Sequence, residues 1–290
     1  MRAYYTPAMA GADTGVDTTR KSALVAQSLL DDPLPGVEVA DISKADRDAA
    51  EILIMASHDL NYVRAVATGD PRPLAESSTL GWTPETYPMA VAHCAAVLSA
   101  VYDALEGRNA AALASGIHHA RHCEGAGYCT FNAFGAIGAW LTTNLPDARL
   151  VIVDLDAHFG GGTHEMIERM HNVSQVDVST NDYDRYSSPY AWKATPGGYL
   201  PVVRKAVAQA LSRHPDLVIY NAGVDPFDDG VAAAELAERD AYVAHAFSLA
   251  EVPVATVLAG GYTSERLTGE ALTDMHRATL RAFADDRVLG

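Results

Sequence analysis

The chain has 290 residues, 49% hydrophobic and 20% charged, enough to bury a large core without disulfide staples. Its net charge of −16, from 37 acidic against 21 basic residues, argues against nucleic-acid or anionic-membrane partners and favours a cationic over an anionic substrate. The three cysteines, Cys94, Cys123 and Cys129, cannot all pair with one another and form no CxxC motif, so they read as reduced thiols in a cytoplasmic protein. The sequence shows neither a continuous apolar stretch of membrane-spanning length nor a signal-like start, and 1–290 reads as one domain.

In chain order, short apolar runs at 3–5, 37–40, 111–115, 150–154, 173–178, 217–221 and 254–259 read as strands. Several are apolar on consecutive residues, as in strands covered on both faces. Helical periodicity marks 87–105, 199–213, 235–250 and 266–285. The alternation predicts an α/β fold with a mainly parallel central sheet flanked by helices. Residues 69–84, with Pro71, Pro73 and Pro84, read as loop. So do residues 181–198, where four Tyr or Trp residues predict an ordered irregular segment.

In such folds the chemistry gathers beyond the carboxyl ends of the strands. The run 150–154 continues into Asp154-Leu155-Asp156-Ala157-His158-Phe159-Gly160. In extended backbone Asp154, Asp156 and His158 share a face, and two buried carboxylates beside an imidazole call for a cation. For any one of them a turn cap or a satisfied core residue is the blander reading; three at spacing two favour a metal. The run 217–221 leads through Ala222-Gly223-Val224 to Asp225, a turn residue by itself and a third ligand beside the other two. One imidazole with two carboxylates suits catalytic zinc, and iron or cobalt would also fit. After 111–115 comes Gly116-Ile117-His118-His119, whose histidines, next to a metal, suit a general base and its electrostatic partner. After 254–259, Gly260-Gly261-Tyr262 allows close backbone approach and a hydroxyl aimed at a developing oxyanion.

Taken together and in this order, these stretches, with Gly127-Tyr128-Cys129 and Asn132, resemble the histone deacetylase family and its bacterial relatives, including acetylpolyamine amidohydrolases. The resemblance runs from Tyr4 to about Tyr262, and Asp154-Leu155-Asp156-Ala157-His158, Tyr220-Asn221-Ala222-Gly223 and Arg239-Asp240 are closest to its class IV branch. It implies an arginase/deacetylase fold with about eight strands and one zinc on Asp156, His158 and Asp225. It further implies His118 and His119 beside the zinc-bound water, with His119 as general base and then acid, and Tyr262 on the amide oxygen. Asp154 would orient His118 and, with Ser179 and backbone carbonyls, hold a monovalent cation, K+. Gly127 and Tyr128 would line the substrate channel, with Trp82 at its rim. The implied reaction is hydrolysis of an acylated amine such as acyl-lysine, an acylpolyamine or a small-molecule amide. An arginase-like two-metal site would need an Asp where Gly160 stands, which favours a single metal.

The chain departs from the family at four places. Gly161 stands where most relatives carry the Asp or Asn that partners the second histidine, so His119 is expected to lack a partner and to show an altered pH profile. Phe159 replaces a usual histidine, Thr18-Thr19-Arg20-Lys21 a usual His-Pro-Glu, and Trp82-Thr83-Pro84 offers no acidic substrate grip. The losses at Gly161 and Phe159 motivate one alternative, a non-catalytic acyl-group binder on the same fold; an enzyme that forms or transfers amides with the same oxyanion site is another.

Overall fold

The computed structural model describes residues 1–12, 16 and 20–284. Its strands are β1 (Arg2–Tyr4), β2 (Glu38–Ala40), β3 (Ala110–Ala112), β4 (Leu150–Asp154), β5 (Val173–Ser179), β6 (Ala191–Lys193), β7 (Leu217–Asn221) and β8 (Val254–Val257). They form one eight-stranded sheet in the order β2-β1-β3-β8-β7-β4-β5-β6, and every pairing is parallel.

Period-two geometry explains the consecutive apolar runs. In β4 and β7, Leu150, Ile152, Leu217 and Ile219 face one core, while Val151, Val153, Val218 and Tyr220 face another. The first core is dominated by the helix α5 (Thr86–Leu105), following α1 (Lys21–Asp31), α2 (Lys44–Ser57), α3 (Leu60–Thr68) and the single turn α4 (Arg72–Ala75). Ala92, Ala95, Ala96 and Ala100 let α5 lie close to the alanines of β3. By length and composition α5 is apolar enough to cross a membrane, although His93, Ser99 and Asp103 interrupt its apolar run, and 83% of its apolar window is buried inside the protein. Its hydrophobicity serves an interior helix. The remaining helices are α6 (Ala133–Asn144), α7 (Gly161–Ile167), α8 (Tyr199–Leu211), α9 (Ala233–Leu249) and α10 (Gly269–Ala284).

Seven strands lie where apolar patterning predicts them, although β3 and β8 stop before 113–115 and 258–259. The eighth, β6, lies in the segment read as irregular, where Ala191–Lys193 adds an edge to Asp177–Ser179. Helices α2 and α3 are absent from the patterning above, while Ser43 and Asp59 cap them through the amides of Asp46 and Asn61. The predicted helix end at 285 lies outside the described residues.

Candidate active site

The segments after β3, β4, β7 and β8 converge at the carboxyl edge of the sheet. Ligand atoms of Asp156, His158 and Asp225 all lie within 4.8 Å of one another. His158 Nδ1 is 3.1 Å from Asp156 Oδ1 and 3.1 Å from Asp225 Oδ2. Backbone amides orient the carboxylates: Gly260 N donates to Asp156 Oδ2 at 3.0 Å, and Ala157 N to Asp225 Oδ1 at 3.0 Å. Two glycines make room. A Cβ on Gly223 would lie 2.6 Å from Asp156 Oδ2 and 2.7 Å from Asp225 Oδ1, and one on Gly260 would overlap the same two carboxylates.

The donor set fits a metal ion. Asp225 Oδ2 is buried and accepts no well-directed hydrogen bond, its polar neighbour being the His158 ring at 3.1 Å. Burial, then the neighbouring Asp156, pushes the Asp225 carboxyl up to about 6. Burial also opposes ionisation of Asp156, but His118 and His158 hold it well below the usual carboxylate range. A cation among these oxygens relieves that crowding, and two carboxylates with one imidazole suit zinc, iron or cobalt.

His118 and His119 share this cavity although they are adjacent in sequence. Gly116, at φ +69°, turns the chain where a Cβ would meet Tyr128 O at 2.7 Å. Asn132 caps α6 through Gly135 N and donates to Ala120 O at 2.9 Å, tying the helix to the histidine loop. His118 Nδ1 lies 2.9 Å from Asp154 Oδ2, and Asn221 Nδ2 donates to Asp154 Oδ1 at 2.8 Å. Burial opposes charge on His118, but Asp154 and Asp156 outweigh it and raise the imidazole to about 10. His119 goes the other way. Burial and the neighbouring His118 outweigh Asp184 and lower it to about 4, leaving a neutral imidazole.

Asp184 corrects the expectation that Gly161 leaves His119 unpaired: its Oδ2 lies 2.8 Å from His119 Nδ1. The pairing spans 65 residues, so no local motif announces it. Phe159 is fully buried and lies beneath the same loop, its amide donating to Tyr183 O at 3.1 Å.

Tyr262 is nearly buried, its hydroxyl pushed up by burial and by Asp225 and Asp156. Lys21 supports its turn from behind, donating to Ala259 O, with Nζ 5.9 Å from the Tyr262 ring centre. Burial lowers this lysine to about 8 against the pull of Asp225 and Asp156. Thr18 and Thr19, from the same stretch, lie outside the described residues.

A cavity of about 370 Å³ opens over the cluster, bounded by Thr79, Gly127, Tyr128, His158, Tyr183 and Tyr262. Tyr183 stands edge-on to His119 and His158, at centroid distances of 4.9 Å and 5.5 Å. The aromatic density of 181–198 is the signal in the sequence that points to it, without singling it out. Trp82 is a correction: it does not line this mouth. Its indole donates to Val66 O, packs over Gly69 and lies beneath Arg72, so Thr79 provides that segment's part of the wall. The Ser179 hydroxyl lies 2.8 Å from Asn181 O and 2.5 Å from Ala157 O, with its one hydrogen to give to either.

An all-parallel eight-stranded sheet with this arrangement at its carboxyl edge defines a deacetylase-type amidohydrolase of the arginase/deacetylase fold. Acetylpolyamine aminohydrolase from Burkholderia pseudomallei shares the fold, with a TM-score of 0.76 over 99% of both chains at 17% identity. The histone deacetylase domain family matches residues 17–186, and the chain belongs to that family. It is 27% identical to an uncharacterised protein of Picosynechococcus sp. over 220 residues, 71% of this chain and 73% of that one. It is 26% identical to histone deacetylase 2 of Arabidopsis thaliana over 192 residues, 58% of this chain and about half (48%) of that protein.

Proposed function

We propose that the chain is a zinc-dependent deacylase, a single catalytic domain that removes an acyl group, acetyl foremost, from an amine such as acyl-lysine, an acylpolyamine or a small-molecule amide. One observation carries this reading: the convergence of Asp156, His158 and Asp225 within 4.8 Å, beside His118, His119 and Tyr262. Zinc bound there would polarise the amide carbonyl and lower the pKa of a water towards ~7.

The chain's own groups do the rest. The neutral His119 takes a proton from the attacking water and returns one to the departing amine as the carbon–nitrogen bond breaks. His118, paired through Nδ1 with Asp154, presents its Nε2 side to the same cavity as an electrostatic partner. Tyr262 donates its hydroxyl hydrogen to the developing oxyanion. Tyr128 and Tyr183 give the acyl-bearing chain apolar walls. Asp154, the Ser179 hydroxyl and nearby carbonyls make an oxygen-rich setting for K+. A cytoplasmic location agrees with three free cysteines.

The binder alternative was motivated by the losses at Gly161 and Phe159, and against the first of these stands the Asp184 contact to His119. The test is turnover of a panel of acetylated and longer-acylated amines by zinc-loaded protein, with Tyr262→Phe as control. Release of free amine is expected, with kcat lowered in the variant by about 10²-fold. No turnover across the panel by fully loaded protein would sink the proposal.

A further inference from the structure

We propose that Asp184, on the loop after β5, is the positioning residue for His119, taking the part that the family resemblance gives to an Asp or Asn at the position of Gly161. The proposal rests on the reading of His119 as the group that moves the proton.

Four observations carry it. The Asp184 carboxylate is fully engaged: Oδ2 meets His119 Nδ1 at 2.8 Å and accepts from Gly162 N at 3.2 Å, while Arg121 grips Oδ1. Arg121 is itself steadied by Glu165 at 3.0 Å, so the carboxylate has little freedom to turn. Secondly, Gly161 and Asp184 compete for one space. A Cβ on Gly161 would lie 2.5 Å from both Asp184 O and Oδ1, so a side chain at 161 and this loop position exclude each other.

Thirdly, Asp184 sits at φ +55°, in the left-handed region that non-glycine residues seldom occupy. Such backbone persists where surrounding contacts over-determine it. Fourthly, Phe159, Arg185, Tyr186 and His164 seat the loop. The Phe159 ring lies under Arg185 and edge-on to Tyr186, and His164 stacks on Tyr186 at 4.2 Å. The departures at 159 and 161 are therefore parts of one exchange: an apolar seat for the loop and a cleared space for its carboxylate.

The consequence for His119 is tautomeric. A carboxylate on Nδ1 keeps the proton there and leaves the Nε2 lone pair to the cavity, the form a base needs. Because Tyr183 precedes Asp184, the channel wall and the group that orients the base move as one unit. A plainer role, in which Asp184 only anchors the loop to Arg121, predicts no special link to His119.

The experiment compares zinc-loaded wild type with Asp184→Asn, Asp184→Ala and Arg121→Ala on one acetylated amine, with thermal unfolding to establish that each is folded. Asp184→Asn is expected to lower kcat by on the order of 10²-fold with KM little changed. Added formate, a carboxylate small enough for the gap, should restore part of the Asp184→Ala activity. Proton NMR gives a readout independent of turnover. Wild type should show two far-downfield Nδ1–H signals, from His118 and His119, and both Asp184 variants only the first. Arg121→Ala should keep the second signal and lose less activity. A folded Asp184→Asn with wild-type kcat, or persistence of both signals in the Asp184 variants, overturns the proposal. If wild type hydrolyses no acylated amine while the second signal still depends on Asp184, the functional reading fails and the positioning contact stands.

Discussion

Gly223 and Gly260 show how tightly single residues constrain the site, because a methyl group on either would overlap the Asp156 and Asp225 carboxylates. Gly223→Ala is expected to cost about 1–3 kcal/mol of stability through local overpacking. It should also lower zinc affinity at least tenfold by turning one carboxylate aside. Wild-type affinity in a competitive chelator titration of the variant would contradict this. The Asp156 and His158 pair was legible in the sequence because strand alternation repeats every second residue. Asp225 was legible because it follows another buried strand. Asp184 was not, because its partner is set by how a loop folds back over α7, and no periodicity records that. Tyr183 was visible only as one of several aromatics in an irregular stretch.

Buried histidines join loops to helices and make these joints sensitive to acid. His58, just after α2, receives the Asn132 amide on Nε2 at 3.1 Å and offers Nδ1 to Arg121 O at 2.9 Å, an arrangement only the neutral ring satisfies. His93 in α5 receives the Ser115 amide on Nδ1 at 3.2 Å. Burial, the largest effect on each, lowers both to about 4 from an ordinary 6.5. The unfolded chain therefore binds more protons between pH 6.5 and 4. The stability these groups contribute is whole above 6.5 and lost as pH falls towards 4. The loss is on the order of 2–3 kcal/mol per histidine. Replacing His93 by Asn should destabilise the protein at pH 7, and the gap from wild type should shrink on acidification. A gap that stays constant in Tm measurements from pH 7 to 4 would refute it. Element types followed sequence patterning where apolar runs were long, as in β4, β7 and α5. The three-residue β6 escaped it, since an edge strand with one partner needs little apolar surface.

Across the whole molecule, the proposed metal ties two distant parts of the chain, the ends of β4 and β7. Removing it leaves crowded buried carboxylates, so chelation should abolish turnover and lower Tm. At free zinc a hundredfold above Kd the linkage is worth about 2.7 kcal/mol. At this chain length that shifts Tm by several degrees. Calorimetry before and after chelation, followed by zinc restoration, checks it; an unchanged Tm would place the metal elsewhere or nowhere. The fold class was readable from alternating strand and helix signals, whereas the sheet order was not, because pairing between strands far apart in sequence leaves no local mark.

That order has a consequence for how the protein is made. Among the described residues β8 is the last strand in chain order, yet it lies between β3 and β7. Without β8 the sheet falls into two groups of strands, β2-β1-β3 and β7-β4-β5-β6, with no strand joining them. The second half already carries Asp156, His158 and Asp225, while His118 and His119 follow the first. An unfinished chain can thus assemble its proposed metal ligands early, but the histidines and Tyr262 reach them only when residues 254–257 close the sheet. Fragments ending before β8 are expected to hold metal without hydrolysing an acylated amine, which zinc titration and turnover assays on such a fragment would check.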